Sequence, residues 1–394
     1  METRELTSPR VRGFGTSIFS EMSRLANLHG AVNLGQGFPD FPGPDFVKEA
    51  AREAIDSDLN QYAISHGAPR LRKAIAQDWA TRFGQTIDPD LEVTVTSGAT
   101  EAIYDAIQTF AGPGDEIAVF EPFYDSYLPS AIMADAALRP ITLKSPDWSF
   151  DRDEAEAAFG PKTRILLLNT PHNPTGKVFT RDELAFLATL CQRWNVLAIT
   201  DEVYERIVFD GVEHIPLATL SGMWERTLTI SSTGKTFSMT GWKIGYAVGP
   251  AHLNAALRSV HQFVTFATAT PFQEAMARAL EIAAARGYYG ELTAEYTARR
   301  EALRQALEES GLPTLPVQGA YFVMADVANL GFATDVAFCR WLTSEIGVAA
   351  VPPSAFYLDP GRAPLLARFC FAKRDETIAS AAERLRQIPQ RLPS

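Results

Sequence analysis

A chain of 394 residues is long enough for more than one domain around a large core, and 46% hydrophobic with 21% charged residues excludes a disordered or fibrous protein. A formal net charge of −11 argues against a nucleic-acid partner, because affinity for a phosphate backbone rests on lysine and arginine. Three scattered cysteines, Cys191, Cys339 and Cys370, draw neither a disulfide framework nor a C-x-x-C metal site, so no metal is expected and a reducing cytoplasm fits.

The first 15 residues carry no apolar stretch of the secretory kind. No run in the chain approaches the roughly 18 apolar residues of a membrane span, so no membrane partner is expected. Residues up to about 45, with Gly35-Gln36-Gly37-Phe38-Pro39-Asp40, read as an extended arm. From about 90 to 250 one unit recurs, a short apolar run followed by a polar or glycine-bearing turn and often a helix-like stretch, which predicts an α/β fold around a largely parallel sheet. The predicted strands are Glu92–Thr96, Glu116–Phe120, Arg164–Leu168, Val196–Thr200, Thr227–Ile230 and Ile244–Val248. Ligands of such sheets sit beyond the carboxyl ends of the strands, so Ser97–Thr100, Tyr124, Asn169–Asn173, Asp201–Tyr204 and Ser232–Lys235 should converge. After about 285 a long charged helix, roughly Tyr289 to Ser310, precedes short strands and a closing helix, the pattern of a smaller α+β domain.

Two glycine motifs fail as nucleotide sites. Gly35-x-Gly37 meets Asp40 where the dinucleotide fingerprint needs glycine, and Gly234-Lys235-Thr236 has Thr229 where a phosphate loop needs its first glycine. Neither a G-x-S-x-G elbow nor an H-E-x-x-H pair is present. Ser97-Gly98-Ala99-Thr100 opens a helix with apolar positions Ile103, Ala106, Ile107 and Phe110, and its free N–H groups suit either a simple cap or a phosphate. Asp201 and Glu202 end an apolar strand, where a carboxylate is costly unless a cation faces it; a helix cap, a structural ion pair and a protonated pyridine nitrogen all answer that need. Lys235 at another strand end is either a solvated loop lysine or a buried amine with a lowered pKa, able to attack a carbonyl. Arg368 alternates with Phe369, and its planar fork matches a carboxylate.

Taken together, Asn33–Asp40, Ser97–Glu101, Glu121–Asp125, Asn169–Gly176, Thr200–Tyr204, Ser232–Lys243 and Arg368–Phe371 resemble class I aminotransferases of fold type I, which depend on pyridoxal 5′-phosphate. The similarity is to the branch of kynurenine, glutamine and methionine aminotransferases, and also to actinobacterial N-succinyldiaminopimelate aminotransferases. It runs from about residue 15 to 385. The resemblance implies a mainly parallel seven-stranded sheet in a large cofactor-binding domain, 46–285. A small C-terminal domain, 286–394, would be joined by part of an N-terminal arm, 1–45.

It also implies roles. Lys235 resembles the lysine that holds the cofactor as a Schiff base and shuttles a proton, and Asp201 the partner of the pyridine nitrogen. Tyr204 and Asn173 would hold the ring hydroxyl oxygen, and Tyr124 would stack on the ring. The phosphate would lie on the N–H groups of Ala99 and Thr100, with Ser232, Lys243 and Tyr62 of the other subunit of a homodimer. Arg368, Asn173 and the backbone of Gly37 would hold the substrate carboxylate. The reaction implied moves an amino group from an L-amino acid to a 2-oxo acid, and cysteine-conjugate β-elimination is open to the same cofactor. Counted without gaps, Ala267 and Phe19 stand where some kynurenine-active relatives carry histidine and tryptophan, which speaks against kynurenine as the preferred substrate. A ligand-sensing regulator on this fold would add a basic DNA-binding segment, and no such helix-turn-helix pattern is seen.

Overall fold

The protein is described by a computed structural model covering residues 6–392. The apolar runs form strands because aliphatic and β-branched residues suit a pleated surface buried on both faces. Ile165, Leu166, Leu167 and Leu168, four consecutive side chains on opposite faces of one strand, are all buried. In spatial order the large sheet runs Val93–Ser97, Ile244–Val248, Thr227–Ser232, Leu197–Asp201, Thr163–Asn169, Glu116–Glu121, Ala137–Lys144 and Ser149–Phe150. The five strands from Thr227–Ser232 to Ala137–Lys144 are parallel. Ile244–Val248 lies antiparallel to both its neighbours.

Seven of these strands form the expected mainly parallel sheet, and the two-residue Ser149–Phe150 adds an antiparallel eighth at the edge. Ala137–Lys144 has no counterpart among the runs expected from sequence. Arg139, Pro140 and Lys144 interrupt it, and only Leu138, Ile141 and Leu143 of its side chains are buried, as befits a strand near a sheet edge.

The long helix spans Tyr288–Glu309 and packs on Asp375–Leu385. Phe322–Asp326 pairs antiparallel with Leu366–Cys370. Val32–Asn33 pairs in parallel with Val348–Ala349, which fastens the N-terminal arm to the C-terminal third of the chain. One apolar cluster joins Tyr204 and Ile207, just past a central strand end, to Tyr321, Phe322 and Phe369. The C-terminal strand pair is thereby pressed against the end of the sheet where the candidate residues collect. Among the described residues no helix is long and apolar enough to cross a membrane, and the three cysteines are buried and unbridged.

Beneath that end of the sheet, Glu205 ties three elements together. It accepts from Ser231 Oγ at 2.6 Å and Tyr246 Oη at 3.1 Å, and pairs with Arg82. Burial works against its charge, but Arg82 and Arg206 outweigh burial and hold the carboxyl down at about 2, below its ordinary 4.5. A depressed pKa contributes stability that is present above the ordinary value and lost as pH falls through the folded one. Glu205→Gln is therefore expected to lower stability by about 3 kcal/mol near neutral pH. Thermal melts across the acid range should show the gap between variant and wild type closing as pH falls from 4.5 towards 2.

Candidate active site

The strand ends open onto one cavity of about 320 Å³. Eleven of the twelve residues singled out from sequence line it: Gly37, Ala99, Thr100, Tyr124, Asn173, Asp201, Tyr204, Ser232, Lys235, Lys243 and Arg368. Tyr62 does not; it stands 81% exposed on the surface, edge-on to Phe266.

Asp201 closes the strand Leu197–Asp201 and is 5% exposed. Its Oδ2 accepts from Tyr127 Oη at 2.7 Å and its Oδ1 from the N–H of Val203 at 3.3 Å. No lysine or arginine among the described residues forms an ion pair with it, and burial pushes its carboxyl up to about 6. A carboxylate held by two donors yet lacking a counter-ion fits a protonated ring nitrogen. Asn169 braces the neighbouring strand end: its Nδ2 donates to the carbonyl of Asp201 at 2.8 Å, and its Oδ1 accepts from the N–H of Asn173 at 2.7 Å.

Opposite, the helix Gly98–Phe110 begins without a side-chain cap, so its first N–H groups face the cavity unspent by Ser97. The approach there is close. A Cβ on Gly98, whose φ is +78°, would sit 2.9 Å from Lys243 Nζ, and a Cβ on Gly245 would sit 2.4 Å from the amide nitrogen of Ala99. A dianionic phosphate fits this corner, where a helix start, the Ser232 hydroxyl and the Lys243 ammonium meet. Glu101, one turn into the helix, is tied to His261 at 2.8 Å, and His261 in turn to the carbonyl of Ser65 at 2.8 Å.

Lys235 sits on the short helix Thr233–Thr236 directly after its strand. Burial lowers its pKa to about 8. Its Nζ donates to Tyr321 Oη at 2.9 Å. Arg368 is fully buried; Nη1 donates to Asn173 Oδ1 at 3.0 Å and Nη2 to the carbonyl of Gly35 at 2.8 Å, while Nε has no partner. Its guanidinium lies 4.1 Å from the ring centre of Phe322 and 5.0 Å from that of Phe19. The backbone carbonyl that meets Arg368 is that of Gly35, and the Gly37 carbonyl accepts from Tyr321.

Tyr127 and Tyr321 were not legible in the sequence. Tyr127 starts a helix just after Glu121–Asp125, and Tyr321 precedes a strand, so both look like core aromatics. Only their hydroxyl partners distinguish them.

The sequence model described as aminotransferase class I and II matches residues 30–385. The chain belongs to the class I and II aminotransferases. It is 44% identical to a probable N-succinyldiaminopimelate aminotransferase of Mycobacterium tuberculosis over 98% of this chain and 99% of that one. It is 43% identical to the methionine aminotransferase of Escherichia coli over 95% and 96%. A solved Escherichia coli structure reported with a methionine aminotransferase function superposes with a TM-score of 0.93 at 42% identity, covering 97% of this chain and all of that one. The chain is thus a fold-type-I aminotransferase that depends on pyridoxal 5′-phosphate and moves an amino group between an amino acid and a 2-oxo acid.

The tight corner at the start of the helix Gly98–Phe110, which fits a phosphate, is testable by adding one carbon. Gly245→Ala should push the Ala99–Thr100 backbone out of place, costing about 1–3 kcal/mol of stability and weakening pyridoxal phosphate binding roughly tenfold or more. Gly290→Ala, where an added Cβ meets nothing within 4 Å, should bind as the wild type does in the same absorbance titration.

Proposed function

We propose that this aminotransferase takes its amino group from an uncharged L-amino acid of the methionine, glutamine, aromatic or kynurenine kind. The observation that carries the reading is the guanidinium of Arg368. It has five N–H donors and spends two on Asn173 and Gly35, so a fully buried cation keeps three and forms no ion pair with a carboxylate among the described residues. A substrate α-carboxylate meets that need with two parallel charge-assisted bonds. Around the guanidinium, Phe19 and Phe322, with Phe38 and Ile103 elsewhere in the lining, offer apolar walls to an uncharged side chain.

When bound, pyridoxal phosphate supplies the carbonyl that receives the amino group and an electron-withdrawing ring that makes the substrate α-proton removable. Asp201 keeps the ring nitrogen protonated, itself oriented by Tyr127 and Val203. Tyr204 and Asn173 hold the ring hydroxyl oxygen, and Tyr124 covers one ring face. Ala99, Thr100, Ser232 and Lys243 hold the phosphate. Lys235 anchors the cofactor, and once freed its amine, with a pKa near 8, takes and returns the α-proton.

Tyr62 reaches the phosphate site of a second copy. Leu59, Tyr62, Ile64, Phe263, Val264 and Phe266 are large apolar side chains exposed in two short segments that Tyr62 and Phe266 bring together, the kind of surface a homodimer buries. Free, buried thiols suit a cytoplasmic setting. A second reading, transfer from N-succinyldiaminopimelate, is favoured by the 44% identity to the mycobacterial relative of that name.

A panel of amino acids against 2-oxo acids decides the substrate: methionine or an aromatic donor should exceed N-succinyldiaminopimelate in kcat/KM, and the reverse order overturns the first reading. Pyruvate and ammonia formed without an added 2-oxo acid would mark β-elimination. Arg368→Lys keeps charge and loses the fork, so KM for the amino acid should rise roughly tenfold or more, as expected for one lost charge-assisted bond, with cofactor affinity nearly unchanged. Sedimentation should give a dimer that Tyr62→Ala leaves assembled but with weakened cofactor retention.

A further inference from the structure

The amine of Lys235 ends on a long flexible stem, yet among the described residues a single buried hydroxyl meets it, that of Tyr321. Tyr321 is fully buried, and its ring is clamped by Tyr204 edge-on at 5.0 Å, Phe322 at 4.9 Å and Tyr296 stacked at 6.1 Å. Its backbone is held as well. Ala320 before it takes a φ of +60°, and Gly319 lies so close to Pro171 that an added Cβ would approach to 2.7 Å. The hydroxyl therefore has little freedom to move.

A phenol has one proton and two lone pairs. The carbonyl of Gly37, which can only accept, lies 2.6 Å from Tyr321 Oη and takes that proton. Towards Lys235 the hydroxyl is left as an acceptor. It fixes one N–H of the amine without touching the nitrogen lone pair, which stays available to take a proton. A carboxylate in the same place would hold an ammonium, and a donating hydroxyl would occupy the lone pair; the Tyr321–Gly37 bond prevents the second.

We propose that Tyr321 is a positioning residue for Lys235: it receives the amine once freed from the cofactor and holds it by one N–H, with the lone pair open to the substrate α-carbon. The Gly37 carbonyl enforces that polarity, so the cavity loop that faces the substrate also sets the direction of the amine. The proposal rests on the reading of Lys235 as the amine that carries the α-proton.

Tyr321→Phe removes one oxygen and keeps the clamped ring. In the holoenzyme kcat should fall about 10- to 100-fold with KM within about threefold of wild type, and the isotope effect on kcat from an α-deuterated amino acid should increase. A readout apart from turnover is the pH midpoint for chemical labelling of Lys235 in the cofactor-stripped full chain, followed by mass spectrometry. An acceptor stabilises the protonated amine, so losing it should shift that midpoint downward by about half a unit or more. If Tyr321→Phe is poorly folded in a melt, 3-fluorotyrosine at position 321 keeps the shape and weakens the acceptor, and should shift the midpoint in the same direction. Unchanged kcat, isotope effect and midpoint overturn the proposal, as does a rise in KM alone, which would place Tyr321 on the substrate. Lys235→Ala separates the two levels: retained turnover there removes the underlying reading of the lysine. An inactive Lys235→Ala beside an unaffected Tyr321→Phe removes only the role of Tyr321.

Discussion

Asp201 is a carboxylate carried into a nearly dry site at the end of a central parallel strand, and a charge there is unfavourable unless something answers it. The surroundings fix its position without neutralising it. Tyr127 and the Val203 amide aim its oxygens, and Asn169 locks the two strand ends together through the Asp201 carbonyl. The sheet can do this because Thr163–Asn169 and Leu197–Asp201 are parallel and in register, with Asn169 paired to Asp201. In a parallel sheet the strand ends point the same way, so residues far apart in sequence arrive at one edge.

Arg368 poses the converse problem at the other side of the cavity. A buried guanidinium with unspent donors is as costly as a buried carboxylate without a cation. Aromatic faces at Phe19 and Phe322 and two oxygen acceptors reduce that cost without supplying a counter-charge. The two charges without an ion-pair partner among the described residues line one cavity, and Lys235 lines it too. Binding is then coupled to relief of electrostatic cost, the pre-organisation expected of a site that stabilises charge formed during reaction.

That arrangement leans on a scaffold with its own buried charge. Glu205, satisfied by Arg82, Ser231 and Tyr246, lies beneath the turn that carries Lys235. Paired charge there stabilises, whereas Asp201 and Arg368 are kept unpaired, and the contrast separates structural from chemical use of the same residue types.

The parallel sheet, its strand-end residues and the charged helix near the C-terminus were legible because burial on both faces writes itself as continuous apolar runs, and turn residues punctuate them. Ala137–Lys144 was not, since an edge strand with Arg139 and Pro140 breaks the run. Asp201 and Lys235 stood out as polar groups beyond the ends of apolar segments, and Arg368 as a charge alternating with Phe369 inside one. Tyr127 and Tyr321 did not, because a buried tyrosine is read as core until the partner of its hydroxyl is known, and those partners are 74 and 86 residues away along the chain. Sequence by itself determined the fold class and the set of strand-end groups through local periodicity, and the reaction through the family that its short motifs resemble. Which carbonyl faces Arg368, which hydroxyl holds Lys235 and which charges stay unanswered were decided only by tertiary packing, because hydrogen-bond direction and desolvation depend on neighbours that no local pattern encodes.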